Sequence, residues 1–256
     1  MEKVIMNPDE LISLAARHLE KILEGKVDPC HGIEHAMIVV GHVDKALKQM
    51  ASPLSANRKL AIKLAALLHD ADDRKFFSTS KELTNAREVL AHLQLPPEMV
   101  DVILKMINLV SCSKNGNSRD GVEEEWMLYP RFADRLEALG EIGLVRCWIY
   151  TYHVSRPLFT DETPRPKSLE ELRKVASPDR FAHYVTQKGK VGSSSFIDHF
   201  YDKLLHIGDV GSNPYFVGEA KVRLKVMEEF LLKFGQTGQV DEVYLQELAN
   251  KYGISH

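Results

Sequence analysis

Apolar positions recur three and four residues apart along most of this chain, and no stretch alternates in the manner of a half-buried strand. That periodicity predicts helices and a mostly α fold. Asn7-Pro8 offers a cap and a first-turn proline for a helix that runs to about Glu24 and stops at Gly25. Further helices are predicted over about residues 31–50, 55–71, 80–93 and, after Pro96-Pro97, 98–110. The third of these is apolar on nearly every side from Asn57 to Leu68, the mark of a buried helix. The polar run 111–118 reads as a loop, and helices resume over about 122–139 and 141–154.

Residues 155–192 break the rhythm. Pro157, Pro164, Pro166 and Pro178 interrupt it and Gly189 and Gly192 close it, with room for short helices near 168–175 and 179–185. A connection this long inside a compact domain is commonly a functional flap or a mobile insertion, so a flap that shapes substrate choice is expected. Helices follow over about 194–207 and 214–234, and a short one over about 240–252 lies beyond Gly235 and Gly238. The predicted organisation is one domain over residues 1–235, with this long irregular insertion, and a short helical tail over 236–256.

Charge removes some classes of function. The 256 residues carry 33 basic and 36 acidic side chains, interspersed, for a net charge of −3. No strong field toward nucleic acid or a membrane surface is implied. Cys30, Cys112 and Cys147 lie far apart and form no CxxC pair, as expected of reduced thiols in a cytosolic protein. The first residues have no extended apolar core or cleavage site, and no apolar run approaches the roughly 20 residues that span a bilayer. A cytoplasmic protein without nucleic-acid or membrane partners is expected.

The candidate chemistry begins where the buried helix ends. His69-Asp70 closes it, and Asp72 and Asp73 follow. Negative charge is unfavourable there, because the helix macrodipole already places partial negative charge at that end. A buried carboxylate also needs a partner. Arg74 or Lys75 could supply one, giving a paired helix end; alternatively, imidazole and carboxylate together could hold a metal ion. Upstream, Ile33, Met37, Val40, Val43 and Leu47 form one apolar stripe, while His31, His35, Ile38 and His42 share another face. Two histidines one turn apart can converge on a cation or a substrate, or form a solvated polar face. His42, about two turns beyond His35, reads as structural or exposed.

These residues, with a later Asp, fall in the order H…HD…D of the HD-domain superfamily, and the chain resembles one branch of it. Asp28-Pro29-Cys30-His31-Gly32-Ile33-Glu34-His35 is similar to the HDxxH segment of that family, with Gly32 where the family has Asp. Leu67-Leu68-His69-Asp70-Ala71-Asp72-Asp73-Arg74-Lys75-Phe76 resembles its LLHD…D-x-K-F segment. Phe132-Ala133-Asp134-Arg135-Leu136-Glu137-Ala138-Leu139-Gly140 resembles its DADRL-[DE]-A-x-G. Arg156-Pro157-Leu158 and Ile197-Asp198-His199-Phe200-Tyr201-Asp202-Lys203-Leu204-Leu205 resemble GRPLY and HFYEKLL. These are motifs of the YpgQ/YedJ-like branch, which includes nucleotide pyrophosphohydrolases, and they span roughly residues 10–235.

The resemblance implies an all-α HD-domain helical bundle in which His35, His69, Asp70 and Asp134 hold one divalent metal ion. Mn²⁺ or Mg²⁺ is the first expectation, with Fe²⁺, Ni²⁺ and Co²⁺ also suited to such ligands. Asp134 rests on the resemblance alone, because on a helical wheel it lies away from Phe132, Leu136 and Leu139. Asp73 and Glu34 are candidates for positioning an attacking water, and Lys75 for offsetting charge in the reaction. His31, Arg74, Arg135, His199 and Lys203 are candidates for binding a small phosphorylated substrate, although Arg135 could instead pair with Asp72, Asp73 or Glu137. Only His92 lies between the HD pair and Asp134, so a single-metal centre is expected. The implied activity is cleavage of a nucleoside triphosphate to monophosphate and pyrophosphate. The alternatives are a 5′-nucleotidase, another phosphomonoester or alarmone hydrolase, or a non-catalytic binding module.

Overall fold

The structure is a computed structural model that describes residues 7–27, 31–78, 81–187 and 192–254. Among the described residues the regular structure is helical and no strand occurs. The Asp28-Pro29-Cys30 part of the HDxxH-like segment lies outside them, as do Gly189 and Thr79-Ser80. The chain divides into two compact units, residues 1–110 with 121–134, and residues 111–120 with 135–256.

The first unit is built around a buried central helix. Its elements are α1 (Pro8–Leu23), α2 (Ile33–Lys48), α3 (Ala56–Leu67), α4 (Thr84–His92) and α5 (Pro97–Val110). Helix α3 packs against α1, α2 and α5, and Ile62, Leu64, Ala65 and Ala66 on it are fully buried. Each large apolar side chain removed from water in this way contributes roughly 1.5–3 kcal/mol. Helix α1 starts in a reciprocal cap: Asn7 Oδ1 accepts the Glu10 amide at 2.9 Å while Glu10 accepts the Asn7 amide at 3.0 Å.

Three predicted boundaries move, each for a local reason. Helix α3 stops at Leu67 rather than Ala71, because the His69 ring Nδ1 bonds the Ala66 carbonyl at 2.8 Å and the chain continues in tight turns. The loop expected over 111–118 holds a single helical turn, α6 (Cys112–Asn115), closed by the Asn115 amide on the Ser111 carbonyl and ended by Gly116 at φ +51°. The helix expected from Val122 begins later: a 3₁₀ turn over Glu125–Leu128 leads into α7 (Tyr129–Glu137), whose second residue is Pro130.

The second unit contains α8 (Gly140–His153), α9 (Leu169–Val175), α10 (Pro178–Thr186), α11 (Phe196–Asp202), α12 (Pro214–Thr237) and α13 (Glu242–Tyr252). Helix α8 packs against α11, α12 and α13. Helix α12 runs through Gly235, where the sequence predicts a stop, and ends at Thr237 before Gly238 at φ +71°. The reason for a glycine at 235 is steric: a Cβ there would fall 1.8 Å from the Pro166 carbonyl oxygen. That close approach pins the proline-rich segment to α12. The same segment buries Leu172 and Thr163 and sets Phe159 against Phe234, ring centroids 5.4 Å apart. The described part of 155–192 carries two helices and is anchored to α12 by these contacts. Among the described residues, no helix is long and apolar enough to cross a membrane.

Candidate metal centre

Three helical elements of the first unit bring four side chains together. His35 projects from the first turn of α2, His69 and Asp70 follow the last turn of α3, and Asp134 lies in α7. His69 Nε2 is 3.2 Å from Asp70 Oδ2 and 3.5 Å from Asp134 Oδ1. His35 Nε2 is 3.9 Å from the same Asp70 oxygen and 3.5 Å from the same Asp134 oxygen. Ligands about 2.1 Å from a common ion are separated by roughly 3.0–3.4 Å at octahedral or tetrahedral angles, so these distances are close to the edges of one coordination polyhedron.

The tautomer of His69 agrees with that geometry. Its Nδ1 faces the Ala66 carbonyl and must donate there, which turns Nε2 toward the carboxylates. Nε2 is buried, and two carboxylate oxygens lie within 3.5 Å of it. The His69 side chain has no exposure and that of His35 has 6%, against 25% for Asp70 and 31% for Asp134. The imidazoles thus form the buried wall, and the carboxylates face the solvent side. Burial opposes a charge on His69, but Asp70 and Asp134 outweigh it and hold the imidazole well above its ordinary pKa. Burial likewise opposes charge on the two carboxylates, and the neighbouring imidazoles hold Asp70 and Asp134 below the usual carboxylate range. The donor set fits a divalent ion held by two imidazoles and two carboxylates.

The other two carboxylates of the turn have separate fates. Asp72 is buried, and its oxygens accept the amides of Asn85 and Ala86, each at 2.9 Å. It therefore caps α4 from a distance, and the residue preceding that helix, Leu83, makes no side-chain cap and sits at φ +52°. Asp73 accepts the Lys75 amide at 2.9 Å and forms a second group with His31 and Asp70. Lys75 Nζ lies 3.0 Å from His31 Nε2. Among the other candidates, Glu34 and Arg74 are exposed and belong to neither His/Asp group, and His42 is buried in α2.

The candidates of the second unit have local partners. Arg135 is buried and donates to the carbonyls of Asp209 at 2.9 Å and Gly116 at 2.6 Å. It holds two loops of its own unit together. Glu137 pairs with Arg223 at 3.1 Å. His199 meets the Ser193 hydroxyl at 3.1 Å, and Lys203 Nζ lies 5.9 Å from the centre of the Tyr184 ring. Asp198, not singled out beforehand, is the centre of a buried network with Arg180, Thr163, Ser194 and Ser195. Its signal was present as Ser195-x-x-Asp198, a helix-start spacing: Ser195 Oγ accepts the Asp198 amide at 3.0 Å.

Separate helical segments thus deliver His, His-Asp and Asp to one point. Solved structures share the architecture. A Lactobacillus plantarum protein superposes with a TM-score of 0.65 at 20% identity, covering 90% of this chain and 97% of that one. An HD-superfamily hydrolase of Bacillus thuringiensis gives 0.58 at 23% identity, over 89% of this chain and 96% of that one. YpgQ of Bacillus subtilis in complex with ADP gives 0.60 at 17%, over 90% and 96%. The fold is thus the HD-domain fold of the YpgQ-like proteins. No family model matches the chain. Protein L803 of Acanthamoeba polyphaga mimivirus is 41% identical over 220 residues, covering 80% of this chain and 88% of that protein. The chain belongs to one family with L803.

Proposed function

We propose that this protein is a metal-dependent phosphohydrolase acting on nucleotides, and that it converts a nucleoside triphosphate to the monophosphate and pyrophosphate. The observation that carries this reading is the packing of His35, His69, Asp70 and Asp134 at ion-coordinating spacing, with the carboxylate side open to solvent. A bound divalent ion supplies polarisation of a phosphoryl oxygen and lowers the pKa of a neighbouring water.

The chain supplies the rest. The two imidazoles fix the ion against a dry wall, and Nδ1 of His69 is held by the Ala66 carbonyl so that Nε2 cannot turn away. Lys75 offers an ammonium beside the centre, where negative charge builds on the phosphoryl oxygens during cleavage. Asp73, which the Lys75 amide holds by one oxygen, is the group that orients the water. Support for a nucleotide comes from the motif resemblance and from the fold shared with YpgQ, whose structure was solved with ADP.

The test is product analysis. Purified protein is incubated with Mn²⁺ or Mg²⁺ and a panel of nucleoside tri-, di- and monophosphates, with Asp70→Ala as control. Monophosphate and pyrophosphate from a triphosphate are expected. Release of orthophosphate from a monophosphate, with triphosphates left intact, would establish a 5′-nucleotidase instead.

A further inference from the structure

The second His/Asp group has a chemistry of its own. The ligand atoms of His31, Asp70 and Asp73 lie within 4.8 Å of one another, and Asp70 belongs to both groups. Two groups that share a carboxylate are the arrangement from which two-metal phosphoryl-transfer centres are built. Here, however, a cation from the chain itself stands in the second group. Lys75 Nζ is 3.0 Å from His31 Nε2 and 3.5 Å from Asp73 Oδ2.

An ammonium carries donors only, so His31 Nε2 must accept from it through the ring lone pair. A metal ion bound through Nε2 would need that same lone pair. The same Lys75 offers its amide to Asp73 Oδ1 at 2.9 Å, which ties the lysine to the turn that carries the acid. The Phe76 ring packs edge-on against the His31 imidazole, centroids 5.2 Å apart.

We propose that Lys75 is a tethered second cation: its ammonium occupies the His31–Asp70–Asp73 position and keeps the centre at one metal ion. This rests on the reading that His35, His69, Asp70 and Asp134 hold the first ion. The absence of extra histidines between His69-Asp70 and Asp134 then ceases to be the only reason for a single metal. A second ligand set is present, and a lysine competes for it. The consequence for the reaction is that one of the two positive charges facing a polyphosphate is fixed by the sequence and does not depend on metal supply.

The experiment reads metal content, independently of hydrolysis. Wild-type protein, Lys75→Ala, and the double variant Lys75→Ala/Asp73→Asn are saturated with Mn²⁺, freed of excess, and measured by elemental analysis. The Mn²⁺ resonance spectrum reports whether two ions are close enough to couple. The Lys75 side chain is 42% exposed, and thermal unfolding verifies that each variant is folded. The expected stoichiometries are about one, two and one ions per chain, with coupled Mn²⁺ in Lys75→Ala alone. A single ion in Lys75→Ala, or two in the wild type, overturns the role of the lysine while leaving the first centre intact. No ion in the wild type overturns the first centre, and the proposal with it.

Discussion

Two groups of buried charge in this molecule follow opposite rules. In the second unit, Asp198 is 4% exposed and surrounded by donors from its own chain. Arg180 approaches one carboxylate oxygen at 2.8 Å, and the hydroxyls of Thr163, Ser194 and Ser195 approach the other at 2.8, 2.9 and 2.6 Å. In the first unit, Asp70 and Asp134 face imidazole nitrogens at 3.2 to 3.9 Å. The first arrangement satisfies a charge with fixed dipoles and a guanidinium, and so ties a segment to a helix. The second converges imidazoles and carboxylates on one point, which folding alone does not require. A buried acid surrounded by fixed donors is structural; acids and imidazoles that converge on one point form a set that could hold a metal ion.

The largest expected effect tests the ligand side of that contrast. Asp70→Ala should reduce phosphohydrolase turnover by at least three orders of magnitude, about 4 kcal/mol or more of transition-state stabilisation. Metal content should fall from about one ion per chain toward zero, while metal-free protein should unfold at nearly the wild-type temperature. Equal metal in wild type and variant would end the reading of the cluster as a centre.

Asp198→Asn should behave in the opposite way, leaving metal content unchanged and destabilising the fold by about 2–4 kcal/mol, because Arg180 and the hydroxyls lose a charge they were arranged around. The pH dependence sharpens the comparison. Burial pushes the Asp198 carboxyl up, but the hydroxyls and Arg180 outweigh it and hold it below the usual carboxylate range. A group with a depressed folded pKa adds stability above its unfolded pKa, here about 4, and loses it as pH falls through the folded value. The melting-temperature gap between wild type and Asp198→Asn should therefore be full at neutral pH and close below about pH 4. A gap that stays constant into acid would assign the loss to packing rather than charge.

How much of this could be read beforehand depended on how far each partner lay along the chain. The helices were legible because apolar spacing is local, and α3 was recognisable as buried from its composition. His35, His69 and Asp70 stood out by spacing at the helix ends. Asp134 did not, because a wheel of α7 places it off the apolar face, and the motif resemblance alone pointed to it. The role of Asp72 was hidden because the amides it caps are 13 and 14 positions away, and the Lys75–His31 contact spans 44. The partners of Arg135 were hidden for the same reason: its carbonyl acceptors are 19 and 74 positions distant.

The smallest effect concerns the acid that belongs to neither group. Asp72 sits two positions from Asp70, yet its oxygens are committed to the amides that open α4. By the rule drawn from Asp198, it is structural. Asp72→Ala should cost about 1–2 kcal/mol, the usual value of a lost helix cap, and should lower the melting temperature with metal content still near one ion per chain. Asp72→Asn keeps one acceptor oxygen for an amide and should recover part of the loss. If Asp72→Ala instead removed the metal while the melting temperature held, the donor-counting distinction between structural and ligand carboxylates would fail at the turn where the two kinds stand side by side.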